Sequence, residues 1–167
     1  IGDSAFSGCD SLASVVFGNG VTSIGDSAFW RCYNLVDVVI ESGSIGNSAF
    51  GYCDSLASVV LGNGVTNIDV EAFKHCDGLE YVEIGTGVTS IGNRAFYDCD
   101  GLAGIEIPSN VTSIGASAFY SCDSLASAVV EGKNIGASAF ESCDNLATVT
   151  LGMGVESIGN YAFYSCD

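Results

Sequence analysis

The sequence predicts an α/β repeat fold, a solenoid in which each unit contributes one short strand and one helical turn. Three observations predict it. Isoleucines that open a recurring I-G-x-S-A-F string fall at Ile1, Ile24, Ile45, Ile68, Ile91, Ile114, Ile135 and Ile158, so the period is 21 or 23 residues. Ala, Phe and Cys hold the fifth, sixth and ninth places of every unit, from Ala5, Phe6 and Cys9 to Ala162, Phe163 and Cys166. Each unit also switches from a helical spacing of apolar residues to an alternating one.

In S-A-F-x-x-C, Ala5 and Cys9 stand four apart and Phe6 and Cys9 three apart, the neighbour spacings of a helical turn. Asp3 or Ser4 precedes as an N-cap. The strand follows in L-x-x-V-x-L, with Leu12, Val15 and Phe17 inward. Gly18 and Gly20 then turn the chain and Gly2 supplies a second bend. Asp69 takes the place of that second glycine in the fourth unit, admissible because Asp enters left-handed conformations. Stacked at about 4.8 Å, the strands form one parallel sheet. The 21-residue units begin at Ile24 and Ile114, four units apart, so 1–90 and 91–167 read as a duplicated block of four. The whole of 1–167 is expected to be one domain of seven full repeats and a partial eighth, without polar caps at either end.

Composition narrows the function. The chain is 48% apolar with a net charge of −16, from 20 acids against Arg31, Lys74, Arg94 and Lys133. Such a chain buries a core and repels nucleic acid and anionic membranes. No apolar run reaches the roughly 18 residues of a membrane span. The chain opens inside a unit, so the lack of a leader at Ile1 carries no information about compartment.

A strand and a turn every 21–23 residues fall in the leucine-rich-repeat range. More specifically, S-I-G-x-x-A-F-x-x-C-x-x-L-x-x-V-x-L resembles the BspA-like, treponemal class of leucine-rich repeat over the whole chain, with Pro108 where that family often carries proline. The resemblance implies a parallel sheet on the concave face and helical turns on the convex face. It also implies a surface or secreted protein that adheres to host matrix proteins or other cells. It brings no catalytic residues.

The eight cysteines read as a buried column. Side chains stacked in equivalent positions stay about 4.8 Å apart, beyond the usual Cβ separation of a disulfide, and a straight column cannot surround a metal ion. Free core thiols are therefore expected, with no cofactor and no metal. Asp follows Cys in seven units (Asp10, Asp54, Asp77, Asp100, Asp123, Asp144 and Asp167), read as a turn that accepts backbone N–H groups rather than as a calcium ladder.

The ligand surface is expected along the middle of the strands: Val16, Val39, Val60, Glu83, Glu106, Val129 and Thr150, with Tyr81 beside them. Exposed valines in a row fit either a docking surface or plain strand propensity. Glu83 beside Glu106 could receive a basic group, on a face expected to be open and without a pocket. Trp30, Tyr97, Tyr120 and Tyr164 share one outer place and suit either partner contact or shielding of the seams between units. His75 is read as a solvated surface residue. These features predict a non-enzymatic module that binds a protein partner. The alternative is a structural protein whose uncapped units stack end to end into a filament.

Overall fold

The structure, a computed structural model, describes residues 1–18 and 20–166. Its strands are β1 (Ser23–Ile24), β2 (Asp37–Ile45), β3 (Ser58–Ile68), β4 (Tyr81–Ile84), β5 (Ser90–Ile91), β6 (Gly104–Ile107), β7 (Ser113–Ile114), β8 (Ser127–Val130), β9 (Asn134–Ile135), β10 (Thr148–Leu151) and β11 (Ser157–Ile158). Every pairing is parallel and in register with the repeat, as in Val39↔Val60↔Glu83 and Ile91↔Ile114↔Ile135. Each turn of the solenoid thus has a strand wall, a second wall built from the Ser-Ile or Asn-Ile pairs, and a third wall of turns. In the 21-residue unit beginning at Ile24 and its successor, β2 and β3 run through both walls. The longer β3 carries the extra residues of two bulges, between Leu61 and Gly64 and at Thr66, opposite Ile40–Ser42 and Gly43–Ser44 of β2.

The third wall corrects the sequence reading: among the described residues it contains no helix. The fourth and eighth residues of each unit are left-handed, with φ of 51–61° at non-glycine positions such as Ser4, Arg94, Tyr52 and His75. Amides alternate. Those of Ala5, Ser7 and Cys9 close three-residue turns on Gly2, Ser4 and Phe6, while those of Ser4, Phe6 and Gly8 reach Asp26, Ala28 and Trp30 of the next unit at 2.7–2.8 Å. Packed helices need 8–10 Å between axes, whereas strands advance by about 4.8 Å, so a helix on every unit would force the units to fan apart. A wall bonded from unit to unit keeps the strand pitch. The left-handed residues cost about 1–2 kcal/mol each in isolation, and the inter-unit bonds they direct offset that cost.

The expected N-cap also has a different task. Asp3 Oδ1 accepts the amide of Asp26 at 2.9 Å and Asp26 Oδ1 that of Asn47 at 2.8 Å, so the side chain serves the next unit. Asp69 is not left-handed; its carboxylate is held by Asn67 Nδ2 at 2.7 Å.

The core is a set of columns. Phe6, Phe29, Phe50, Phe73, Phe96, Phe119, Phe140 and Phe163 form one continuous stack, with centroids 4.9–5.2 Å apart and planes within 6°. Cys9, Cys32, Cys53, Cys76, Cys99, Cys122 and Cys143 are free thiols, all but Cys9 buried. They also make a bond that the spacing did not reveal. Each thiol from Cys32 onward, Cys166 included, donates to the Phe carbonyl of the preceding unit at 3.1–3.2 Å. Burial pushes Cys53 up to about 12 and Cys76 and Cys99 further, so these thiols stay protonated and unreactive at neutral pH.

Candidate strand-face binding site

The residues expected on the ligand face point outward, and in the middle of the wall they alternate with inward neighbours that pack in the core, whereas Val149 and Leu151 beside Thr150 are themselves 37% and 44% exposed. Val38 and Ile40 are buried around Val39, Val59 and Leu61 around Val60, and Ala128 and Val130 around Val129. Val39 is 47% exposed, Tyr81 53% and Val16 94%. Glu83, Glu106 and Thr150 are exposed and Val60 and Val129 half-buried.

The column is not continuous. Glu106, Val129 and Thr150 are in register across β6, β8 and β10, and Val39, Val60 and Glu83 across β2, β3 and β4. Between β4 and β6 there is no pairing: among the described residues no backbone hydrogen bond joins 80–84 to 103–107. The strand wall is therefore two sheets. The other two walls remain joined at this point, through β5 and β7 and through bonds such as Phe73 N–H to Ala95 O at 2.8 Å. A cleft of about 780 Å³ lies along the seam, bordered by Glu80, Tyr81, Glu83, Gly104, Glu106 and Pro108. This corrects the expectation of a face without a pocket. Glu83 and Glu106 hold equivalent places on the two edges of the seam and both line the cleft, a placement in which like charges disfavour strand pairing. The Tyr81 hydroxyl donates to Glu83 Oε2 at 3.2 Å, and that bond together with the carboxylate charge raises the Tyr81 pKa.

The outer aromatic residues serve the seams between units. Tyr97 and Tyr120 stack at 5.0 Å, Trp30 meets Tyr52 edge-on at 6.0 Å, and the Arg31 guanidinium lies 3.9 Å above Trp30. Gly51 makes room for Trp30, whose Cδ1 would stand 3.1 Å from an added Cβ. His75 is not simply solvated: it stacks on Tyr52 at 4.6 Å and its Nδ1 lies 3.4 Å from Asp98 Oδ2.

In the Asp column, backbone carbonyls rather than carboxylates hold the turn, with Asp54 O accepting from Gly78 and Asp77 O from Gly101, each at 3.0 Å. Asp167 lies outside the described residues. Among those described, no cluster of three thiol, imidazole or carboxylate groups is placed to hold a metal ion. Partial burial, then neighbouring carboxylates, raise the pKa of Asp77, Asp100 and Asp123 above 3.8. Asp98 rises by burial as well, while His75 lowers it. A carboxylate raised in the folded state stabilises below its unfolded pKa, and that contribution is lost as pH rises through the folded value. The melting temperature is accordingly expected to climb as pH falls from about 7 toward about 4, and to rise with salt at neutral pH as like charges are screened. Thermal unfolding followed by circular dichroism across pH and salt checks this; a flat or falling trend would mean that the ion pairs at Glu71 dominate.

A parallel solenoid of 21–23-residue turns around a column of Leu, Phe, Ala and Cys is the architecture of a leucine-rich-repeat protein. The chain belongs to the BspA-type leucine-rich-repeat family, whose family model matches residues 1–76 and 43–167 in six copies. It is similar to a leucine-rich-repeat protein of T. pallidum, 32% identical, with a TM-score of 0.85 over 92% of this chain and 76% of that one. A leucine-rich-repeat protein of Bacteroides ovatus is 26% identical, with a TM-score of 0.71 over 99% of this chain and 55% of that one. A leucine-rich cell surface protein of Faecalibacterium prausnitzii is 27% identical, with a TM-score of 0.60 over 98% and 61%. The chain thus spans about three quarters of the first relative and less than two thirds of the other two. Comparison with proteins of curated function returned no match. Among the described residues no helix is long and apolar enough to cross a membrane.

Proposed function

We propose that the chain is a non-enzymatic, protein-binding module of a cell-surface or secreted protein, and that its partner, a matrix or cell-surface protein, docks on the strand face. The observation that carries this reading is the register of outward side chains along that face, where Val39 is 47% exposed between fully buried Val38 and Ile40 and is paired with Val60 of the next unit. Apolar residues held outward on a rigid sheet supply contact area at little ordering cost. The surface location is supported by the likeness to the Faecalibacterium prausnitzii cell surface protein.

The test is binding of labelled protein to immobilised extracellular-matrix proteins and to cultured epithelial cells. The wild type is compared with Val39→Ser/Val60→Ser and with the turn-wall variant Tyr97→Ala. Saturable binding weakened about tenfold by the strand-face variant alone supports the reading. No saturable binding, or equal loss in the turn-wall variant, sinks it. A second reading is self-stacking through the end units, where Phe6 is 40% and Ile158 48% exposed although internal equivalents are buried. Further units of the same kind would cover these faces equally well. Only monomer in sedimentation velocity at high concentration removes it.

A further inference from the structure

The seam between β4 and β6 has features that the rest of the strand wall lacks. Its two strand edges carry N–H and C=O groups unpaired across it, while β3–β4 and β6–β8 on either side form complete parallel ladders. It falls at the junction of the two four-unit blocks, 1–90 and 91–167. Glu83 and Glu106 face each other across it, with Glu80 at its rim. No basic side chain of the chain answers them. Lys74 and Arg94 lie 3.4 and 3.6 Å from Glu71, Lys133 3.5 Å from Glu156, and Arg31 over Trp30.

Unpaired strand edges recruit an extended backbone, and alternate side chains then set specificity. A strand seated here would present every second residue outward, between Glu83 and Glu106. Its other residues would face inward toward Val82, Ile84 and Ile105, which are 6, 8 and 4% exposed. We propose, resting on the protein-binding reading above, that the seam is a docking slot for an extended peptide with lysine or arginine at alternate positions and small apolar residues between them. Seating it parts the strand wall by about one strand spacing, ~4.8 Å, and breaks no ladder bond of that wall. The cation sits between the Glu83 and Glu106 carboxylates that line the seam and offsets their like charge.

The probe is the peptide Lys-Val-Lys-Val-Lys-Val-Lys, against a block peptide of four lysines followed by three valines, with equal charge and no alternation. Fluorescence anisotropy gives affinity, and hydrogen exchange reports the amides of 80–84 and 103–107. The alternating peptide is expected to bind about tenfold more tightly than the block peptide and to slow exchange at those amides. Glu83→Gln/Glu106→Gln, which removes a repulsion and should fold at least as stably, is expected to weaken binding about tenfold. Glu41→Gln/Glu141→Gln, with the same charge change elsewhere, should leave it intact. Equal affinity for the two peptides, unchanged exchange, or equal weakening in both double variants would overturn the proposal, because the general negative charge would then account for binding. The Val39→Ser/Val60→Ser protein separates the two readings. It should still take the peptide, so equal affinity for the alternating and block peptides with partner capture intact condemns the slot alone, and lost partner capture with peptide binding intact leaves the slot standing.

Discussion

Phe73→Ala is expected to destabilise the protein by about 3–5 kcal/mol. The ring is fully buried and stacked on both faces, 5.2 Å from Phe50 and 5.2 Å from Phe96. Its loss leaves a cavity in the middle of an eight-ring column, and neither neighbour can collapse into it. Both are held in the turn wall by inter-unit bonds, Phe50 N–H to Ala72 O and Phe96 N–H to Ala118 O. Because a solenoid is stabilised mainly by nearest-neighbour interfaces, two interfaces weaken at once and the array is expected to unfold in two stages about this unit. Phe6→Ala is the internal comparison: Phe6 is 40% exposed and stacks on Phe29 alone, so it should cost well under half as much. Urea unfolding of the two variants measures the difference. Equal losses would show that the column does not transmit stability.

Gly115→Ala is also expected to be damaging, although it adds only a methyl group. A Cβ at Gly115 would stand 2.5 Å from Asn93 N and 2.5 Å from Gly92 C, both backbone atoms of the preceding unit. Neither can swing aside. The two units must separate, which stretches the bond from Gly115 N–H to Ile91 O, now 2.8 Å, and the short β5–β7 pairing beside it. Overpacking of this kind costs about 1–3 kcal/mol. Gly2→Ala, with nothing within 4 Å of an added Cβ, should be almost neutral in the same urea experiment. A tolerated Gly115→Ala would show that the glycine column is a matter of bends rather than of approach.

Much of this architecture was legible in the sequence because a repeat applies one set of local rules many times. Ala, Phe, Cys and Leu at fixed places announce four buried columns, and the structure buries Ala72, Phe73, Cys76 and Leu79 completely. The outward strand residues followed from alternation alone. Other features depend on distances between units, which no spacing within one unit encodes. A-F-x-x-C has helical spacing, yet its backbone turns left-handed at Glu71 and His75, because half its amides find partners one unit away. The same cause gives the cysteine thiols their acceptors and makes the second-place glycines, such as Gly92 and Gly115, necessary for approach rather than for φ.

The candidate site divides in the same way. Alternation alone put Glu83 and Glu106 side by side, and their charges gave a reason for conflict. Whether that conflict is absorbed or opens the sheet depends on the rest of the cross-section. Here the second wall and the turn wall hold the units together, so the strand wall can open locally without loss of the fold. The sequence by itself determined the period, the columns, the parallel stacking and the identity of the outward face, all of which follow from which residues are apolar and how far apart they stand. Only the tertiary structure decided the helix-free turn wall and the seam between β4 and β6. Both depend on how closely neighbouring units approach and which backbone groups then meet.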